Sequence, residues 1–237
     1  MKRYSWIMAA MLPLVVAGMA MGQTKNTPRI AGTRHNFGAN GFAFAQGEIC
    51  KPCHTPHNAA DSTVSRDLWA HTLSTASYKL SDTELNVAQE DALDNYSRLC
   101  MSCHDGTVAL DSFAGGTPGT GPALGANSVV NLGTDLSNDH PVGKTAVYNG
   151  NSSSFQATTV DTRGNTAVGV NDPTNGKSTL RLYSVSVTAG GTTTTNNVVS
   201  CGTCHNPHGA GNTSGTYPKL LRMSNVQSQM CLTCHIK

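Results

Sequence analysis

Aromatic residues make up only 5% of this 237-residue chain, charged residues 13% and hydrophobic residues 38%. Side chains alone supply little with which to fill a core of ordinary size, so either something else occupies the interior or part of the chain stays unpacked. No Asp or Glu follows Asp172, yet the bases beyond it (Lys177, Arg181, Lys219, Arg222, Lys237) are scattered. That spacing excludes a nucleic-acid surface, which needs clustered Lys and Arg to neutralise phosphates. After the first twenty-odd residues no run is apolar enough to span a bilayer. No cysteine lies outside four short motifs, which leaves no thiol for a separate disulfide framework.

What is present begins with MKRYSWIMAAMLPLVVAGMAMG. Lys2 and Arg3 precede an apolar run from Trp6 to Ala20, then small residues, the layout of a secretory signal peptide over 1–22. The apolar stretch is shorter than the roughly 20 residues that a retained anchor wants. Removing it takes away Lys2 and Arg3 of 16 basic residues, and the 14 that remain balance 14 acidic ones, so the mature polypeptide is formally neutral.

The eight cysteines fall in one pattern: Cys50-Lys-Pro-Cys53-His54, Cys100-Met-Ser-Cys103-His104, Cys201-Gly-Thr-Cys204-His205 and Cys231-Leu-Thr-Cys234-His235. C-x-x-C-H is the attachment signal of c-type haem. The two thiols reach both vinyl groups of one porphyrin, and the following imidazole is the proximal ligand of the iron. One such motif would be weak, because C-x-x-C also serves disulfides, redox dithiols and zinc ribbons. Disulfides or two zinc ribbons give no reason for a histidine after every pair, whereas four covalent haems do.

Four haems in residues 23–237 leave about 54 residues for each, near the size at which a chain needs metals or crosslinks to hold together. Porphyrin then takes the place of the missing apolar core. Its propionates make the holoprotein acidic unless they are paired, and Arg66, Arg98 and Arg222, close to the motifs, are candidates for that pairing.

Five histidines lie outside the motifs: His35, His57, His71, His140 and His208. Four irons with imidazole on both axial faces need four. His57 and His208 sit in a repeated C-x-x-C-H-x-P-H, and Pro56 and Pro207 push Thr55 and Asn206 out of the helical region. A histidine three residues after the proximal one stays on that side of its own porphyrin, so it has to serve a different haem. The repeat is thus a short coupler between two haems. His140 in NDHPVG and His35 in RHNFG lie in turn-like contexts and are expected as ligands. His71 in LWAHTLS follows Trp69 in an apolar stretch and fits a ligand, a propionate partner or an ordinary buried histidine.

Ser81-Asp-Thr-Glu84 has the form of a capping box, and Leu93, Tyr96 and Cys100 recur beyond it at helical spacing. Ser224 with Gln227 opens a segment placing Val226, Met230 and Cys234 on one face. Residues 111–200 are rich in Gly, Thr, Asn and Ser and read as loop with a few strands. Within them LRLYSVSV (180–187), ended by AGG and followed after TTTTNN by VVS, alternates apolar and polar as a hairpin does. The expected fold is mostly irregular and haem-organised, a multihaem cytochrome c with short helices at the motifs and a few short strands in the insert. It forms one domain over 23–237, with motifs at 50–54, 100–104, 201–205 and 231–235.

RHNFG, ICKPCHTPHN, LWAHTLS, SRLCMSCHDGTVALD, LSNDHPVG and CGTCHNPHG together resemble the doubled C-x-x-C-H multihaem cytochromes of bacteria that respire on metals and other extracellular acceptors. The chain is also similar to the tetrahaem cytochromes of that group that polymerise into extracellular filaments. That resemblance implies bis-histidine haems in a continuous stack, one distal histidine from an adjacent subunit, and other redox proteins or an extracellular acceptor as partners. The function it leads us to expect is non-enzymatic electron transport at the cell surface or outside the cell. A periplasmic shuttle is the alternative. A multihaem oxidoreductase would need one iron with an open sixth position, and no C-x-x-C-K variant marks such a site.

Overall fold

The computed structural model describes residues 29–45, 47–57, 59, 68–80, 86–88, 92–113, 119–169, 179–189, 191–209 and 218–237. All eight cysteines and all nine histidines are among them; the signal segment, Arg66 and the Ser81–Glu84 pattern lie outside.

Regular structure is sparse. The longest helix, Asn95–His104, begins where the Asp94 carboxylate accepts from the backbone of Tyr96 and Ser97 and ends as the Asp105 N–H closes on Met101. Such a cap contributes about 1 kcal/mol. The helix therefore starts at Asp94 rather than running on from residue 84, and Asn86–Ala88 pairs instead as strand β2 with β1, Ser77–Lys79. Cys201–Cys204 is a single turn capped by Ser200, whose side chain and that of Thr203 form a reciprocal box. Gln229–Cys234 follows a 3-10 turn over Val226–Ser228, with the Ser224 hydroxyl accepting from the Val226 N–H. At the first motif the chain makes one turn, His54 N–H bonding to the Cys50 carbonyl at 2.8 Å. Short helices at the motifs and strands within an otherwise irregular chain are compatible with the expected fold class.

The insert holds two antiparallel sheets. β3 (Thr158–Val160), β4 (Thr166–Val168) and β5 (Leu180–Arg181) form one, and β6 (Tyr183–Ala189) and β7 (Thr192–Val198) form the other. The hairpin is as expected from the alternation, with Ala189 opposite Thr192 and Gly191 at φ 79° in its two-residue turn. The single expected strand from 180 splits, however. Leu182 donates its N–H to Thr166, so residues 180 and 181 belong to the first sheet, and the chain switches sheets before Tyr183.

Among the described residues, many of the buried apolar side chains gather in four clusters instead of one core. The largest is Tyr78, Leu80, Ala92, Leu93, Met101 and Leu136. Two of the others draw on the motifs themselves: Cys234 packs beside Tyr148, Val168 and Leu182, and Cys204 with Cys234 beside Leu180, Met223 and Met230. These two clusters end at cysteine-bearing turns, where a further apolar body would extend them.

Candidate haem-binding site

None of the eight cysteines is paired in a disulfide. Among the described residues no three His, Cys, Asp or Glu side chains converge on a bare metal site, so the pairs are not gathered as four-thiol zinc centres. Burial pushes the Cys53, Cys204 and Cys234 thiols up to about 11 and Cys103 to about 12. Neutral thiols are poor nucleophiles toward one another.

Two pairs approach across the chain. The Cys100 thiol is hydrogen-bonded to Cys201; that bond, with burial, holds Cys100 well above its usual range, and the same bond, against the effect of burial, holds Cys201 below its own.

Each coupler carries the same backbone frame. Thr55 N–H bonds to Leu68 O at 2.8 Å and Ala70 N–H to Cys53 O at 2.9 Å; correspondingly Asn206 N–H bonds to Leu220 O and Arg222 N–H to Cys204 O, both at 2.8 Å. Leu68 and Leu220 occupy matching places and both have positive φ, 51° and 59°. The internal repeat is therefore structural as well as sequential, and it turns both motif histidines in the same way relative to the strand-like segment that follows.

The motif histidines acquire imidazole neighbours from distant parts of the chain. His54 and His208 have ring centroids 5.9 Å apart, His104 and His35 6.1 Å, and His235 and His140 6.3 Å. An imidazole nitrogen binds a first-row metal at about 2 Å. Adding roughly an ångström from nitrogen to ring centre on each side, two rings sharing one iron lie about 6 Å apart. His208, three residues past His205, thus lies against the His54 ring of the other coupler. No such neighbour is found for His205 or the exposed His57 among the described residues.

Backbone carbonyls fix several of these rings. His104 Nδ1 donates to Val130 O at 2.7 Å, His205 Nδ1 to Lys219 O at 2.8 Å, His140 Nδ1 to Pro141 O at 3.0 Å and His35 Nδ1 to Pro207 O at 3.2 Å. A carbonyl only accepts, so the proton sits on Nδ1 and the Nε2 lone pair is left for a metal, the usual arrangement behind a ligating histidine. Protein packed around His35, His205 and His208 holds each below the usual imidazole range, chiefly by desolvation. These rings are in the neutral form that ligation requires.

His71 is different. Only 1% exposed, it has Nδ1 2.9 Å from Thr72 O and Nε2 3.1 Å from Ala109 O, so both nitrogens face backbone carbonyls. Of its three sequence readings, this placement fits the buried structural histidine.

Among the described residues two buried side-chain N–H groups have no hydrogen-bond partner, Nε1 of Trp69 and Nε of Arg181. Trp69 lies edge-on to the His54 ring at 6.2 Å, and the Arg181 guanidinium sits over the rings of Tyr96 and Tyr183. Orphaned donors in such places fit an acceptor that arrives with the cofactor, as a propionate does. Arg222, by contrast, already donates Nε to the Gly202 carbonyl at 2.6 Å. Exposed apolar side chains also gather at the motifs: Leu68 and Leu232, and Val129, 98% exposed, beside the Val130 carbonyl that holds His104. Thiol pairs, oriented imidazoles, orphaned donors and uncovered apolar surface together suit haem.

Sequence reasoning passed over Asp94, Ser97 and Ser200, three buried polar residues beside the second and third motifs. The signal was available: Ser200 and Thr203 bracket a helix start, and Asp94 and Ser97 stand at capping spacing before Cys100.

A family model described as doubled CXXCH motif matches residues 195–237. No curated protein and no solved structure matches the chain. The matched motif suggests a haem-binding, electron-transfer c-type cytochrome. Its C-x-x-C-H motifs indicate covalently attached haem c, and the eight cysteines form four such motifs.

Proposed function

We propose that this protein is an exported tetrahaem c-type cytochrome in which every iron has two histidine ligands, and that it carries electrons between redox partners without transforming a substrate. The observation behind this reading is the set of three motif histidines with a second imidazole at 5.9–6.3 Å. In it, His54 and His208 share one iron, His104 and His35 a second, and His235 and His140 a third. Cys50 and Cys53, Cys100 and Cys103, Cys201 and Cys204, and Cys231 and Cys234 hold the four porphyrins.

When bound, each haem supplies a one-electron ferric/ferrous couple whose potential follows axial ligand, burial and nearby charge. The chain's part is to close both axial faces and keep the cofactors close. The 204–208 segment does this for three sites at once: His205 serves its own iron, the Pro207 carbonyl orients His35, and His208 reaches the iron of His54.

His57 completes the set at the iron of His205. The matched backbone frames of the two couplers support an exchange within one chain, each coupler giving its last histidine to the other's haem. The exposure of His57 supports a second form, in which a neighbouring copy supplies it and the chain becomes a subunit of an extracellular conducting homopolymer. The apolar start of the sequence supports export, to the cell surface or beyond, with the periplasm as the alternative site.

Mass spectrometry and electron paramagnetic resonance of the purified holoprotein test the reading together. Four covalent haems, all low-spin, are expected. A substantial high-spin ferric signal at neutral pH would overturn it in favour of an oxidoreductase with an open haem at His205. Electron microscopy of sheared surface material separates filament from shuttle.

A further inference from the structure

Asp94 is 1% exposed and carries four hydrogen bonds. Its Oδ1 accepts from the N–H groups of Tyr96 at 3.0 Å and Ser97 at 3.2 Å and from the Ser200 hydroxyl at 2.9 Å, while Oδ2 accepts from the Ser97 hydroxyl at 2.5 Å. Both serine protons are thus spent on one carboxylate. The Ser97 oxygen is then free to accept from the Cys201 N–H at 3.2 Å, and the Ser200 oxygen from the Gly202 N–H at 3.3 Å. One buried side chain therefore caps the helix that carries Cys100, Cys103 and His104. Through two serines it also holds the start of the turn that carries Cys201, Cys204 and His205.

No Lys or Arg nitrogen lies within ion-pair distance of that carboxylate among the described residues. A buried ion pair is not what keeps it; four donors are, and a charge desolvated in this way acts strongly on its surroundings. The two helix starts it joins are 106 residues apart in sequence. They bring the Cys100 and Cys201 thiols into hydrogen-bond contact, so the porphyrins attached there meet at their thioether edges.

We propose that Asp94 is the positioning residue of the central haem pair: it fixes the spacing between the second and third haems and, as a buried negative charge beside both attachment points, lowers their potentials relative to the outer two. The inference rests on the haem-binding reading above. An electron crossing between the two halves of the chain depends steeply on edge separation, and the Asp94, Ser97 and Ser200 cluster sets that separation. The same carboxylate opposes reduction of either neighbour, since a negative charge nearby favours the more positive ferric form.

The test is Asp94→Asn in the full holoprotein, with haem-resolved redox titration and the magnetic interaction between haems as readouts. The asparagine keeps an acceptor oxygen but loses the charge and offers N–H where Oδ2 accepted. Two of the four midpoint potentials should rise while two stay, and the spin coupling of that same pair should weaken. Ser200→Ala breaks only the link to the second helix start and leaves the charge, so it should weaken the coupling without raising both potentials; it also serves if Asp94→Asn fails to mature. Four low-spin haems with all midpoints and couplings unchanged in both variants would overturn this inference alone. A wild-type protein with fewer than four haems, or with a high-spin haem, would instead remove the reading beneath it.

Discussion

The imidazole of His208 lies 5.9 Å from that of His54 with 26° between their planes, although the two belong to opposite ends of the chain. His208 is carried by the turn that follows the third motif, three residues beyond His205. If it is the distal ligand of the His54 site, His208→Ala opens one iron of four. The expected outcome is a high-spin ferric signal from a quarter of the haem with haem content unchanged, read by electron paramagnetic resonance. Four low-spin haems in that variant would remove His208 from the ligand set.

His71→Gln should behave in the opposite way. Both ring nitrogens of His71 lie against backbone carbonyls, and the neutral ring donates its single N–H to one of them, so its loss should leave every iron low-spin and cost stability of about 1–3 kcal/mol for the carbonyl that loses its donor. Burial holds the His71 imidazole below its ordinary 6.5. The folded chain therefore keeps it neutral where the unfolded chain begins to take a proton. Its stability contribution is complete above about 6.5 and is lost as pH falls from there through the folded value. Denaturant titrations at a series of pH values should show a shallower acid decline in the variant than in the parent.

Much of the site was legible in the sequence because covalent attachment needs a fixed local spacing: each C-x-x-C-H is complete within five residues. The turn at the third motif was legible too, since Pro207 constrains Asn206 whatever the rest of the chain does. The long helix was misplaced because two capping signals compete before Cys100. The pattern at Ser81 and Glu84 is local, whereas Asp94 is also held by Ser200, a contact no window of sequence contains. Leu182 was hidden for a related reason. Its alternation is that of the hairpin, but its N–H goes to Thr166 on another sheet, and periodicity does not show which neighbour a strand will find. The fate of His71 depended on two carbonyls, one of them at Ala109, and these too are set by tertiary packing.

Gly143 stands three residues after His140 at φ 93°, donating its N–H to Val199 at 2.9 Å. A Cβ there would collide with the Ala92 carbonyl oxygen, which itself accepts from Lys144 at 2.9 Å. Positive φ and a backbone clash act in the same direction, so Gly143→Ala should destabilise by about 1–3 kcal/mol. Because the loop also presents His140, the variant should shift the spectrum of the haem at His235 before those of the others. Thermal melting followed at a haem band and by circular dichroism checks both parts, and an unchanged melting point would show that the loop yields freely.

The polypeptide made without haem should not fold cooperatively. Among the described residues the buried apolar clusters are four, three of them built on only three buried side chains each. Clusters of that size do not offset the conformational entropy of ordering the long loops between them. The cysteine turns at their edges, including Cys204 and Cys234, mark where porphyrin would join them. Chain expressed in a host unable to attach haem, or with all eight cysteines changed to serine, should therefore show no sharp thermal transition, bind a dye that reports exposed apolar surface and be cut rapidly by protease. The fully loaded protein should resist on all three counts. The Tyr183–Val198 hairpin region and the Asp94-capped helix should be the last segments of the haem-free chain to lose protection, because they hold the most backbone pairing and the best-satisfied buried polar cluster. A sharp two-state melt of the haem-free chain would mean that side chains alone complete the core, against the small clusters seen here.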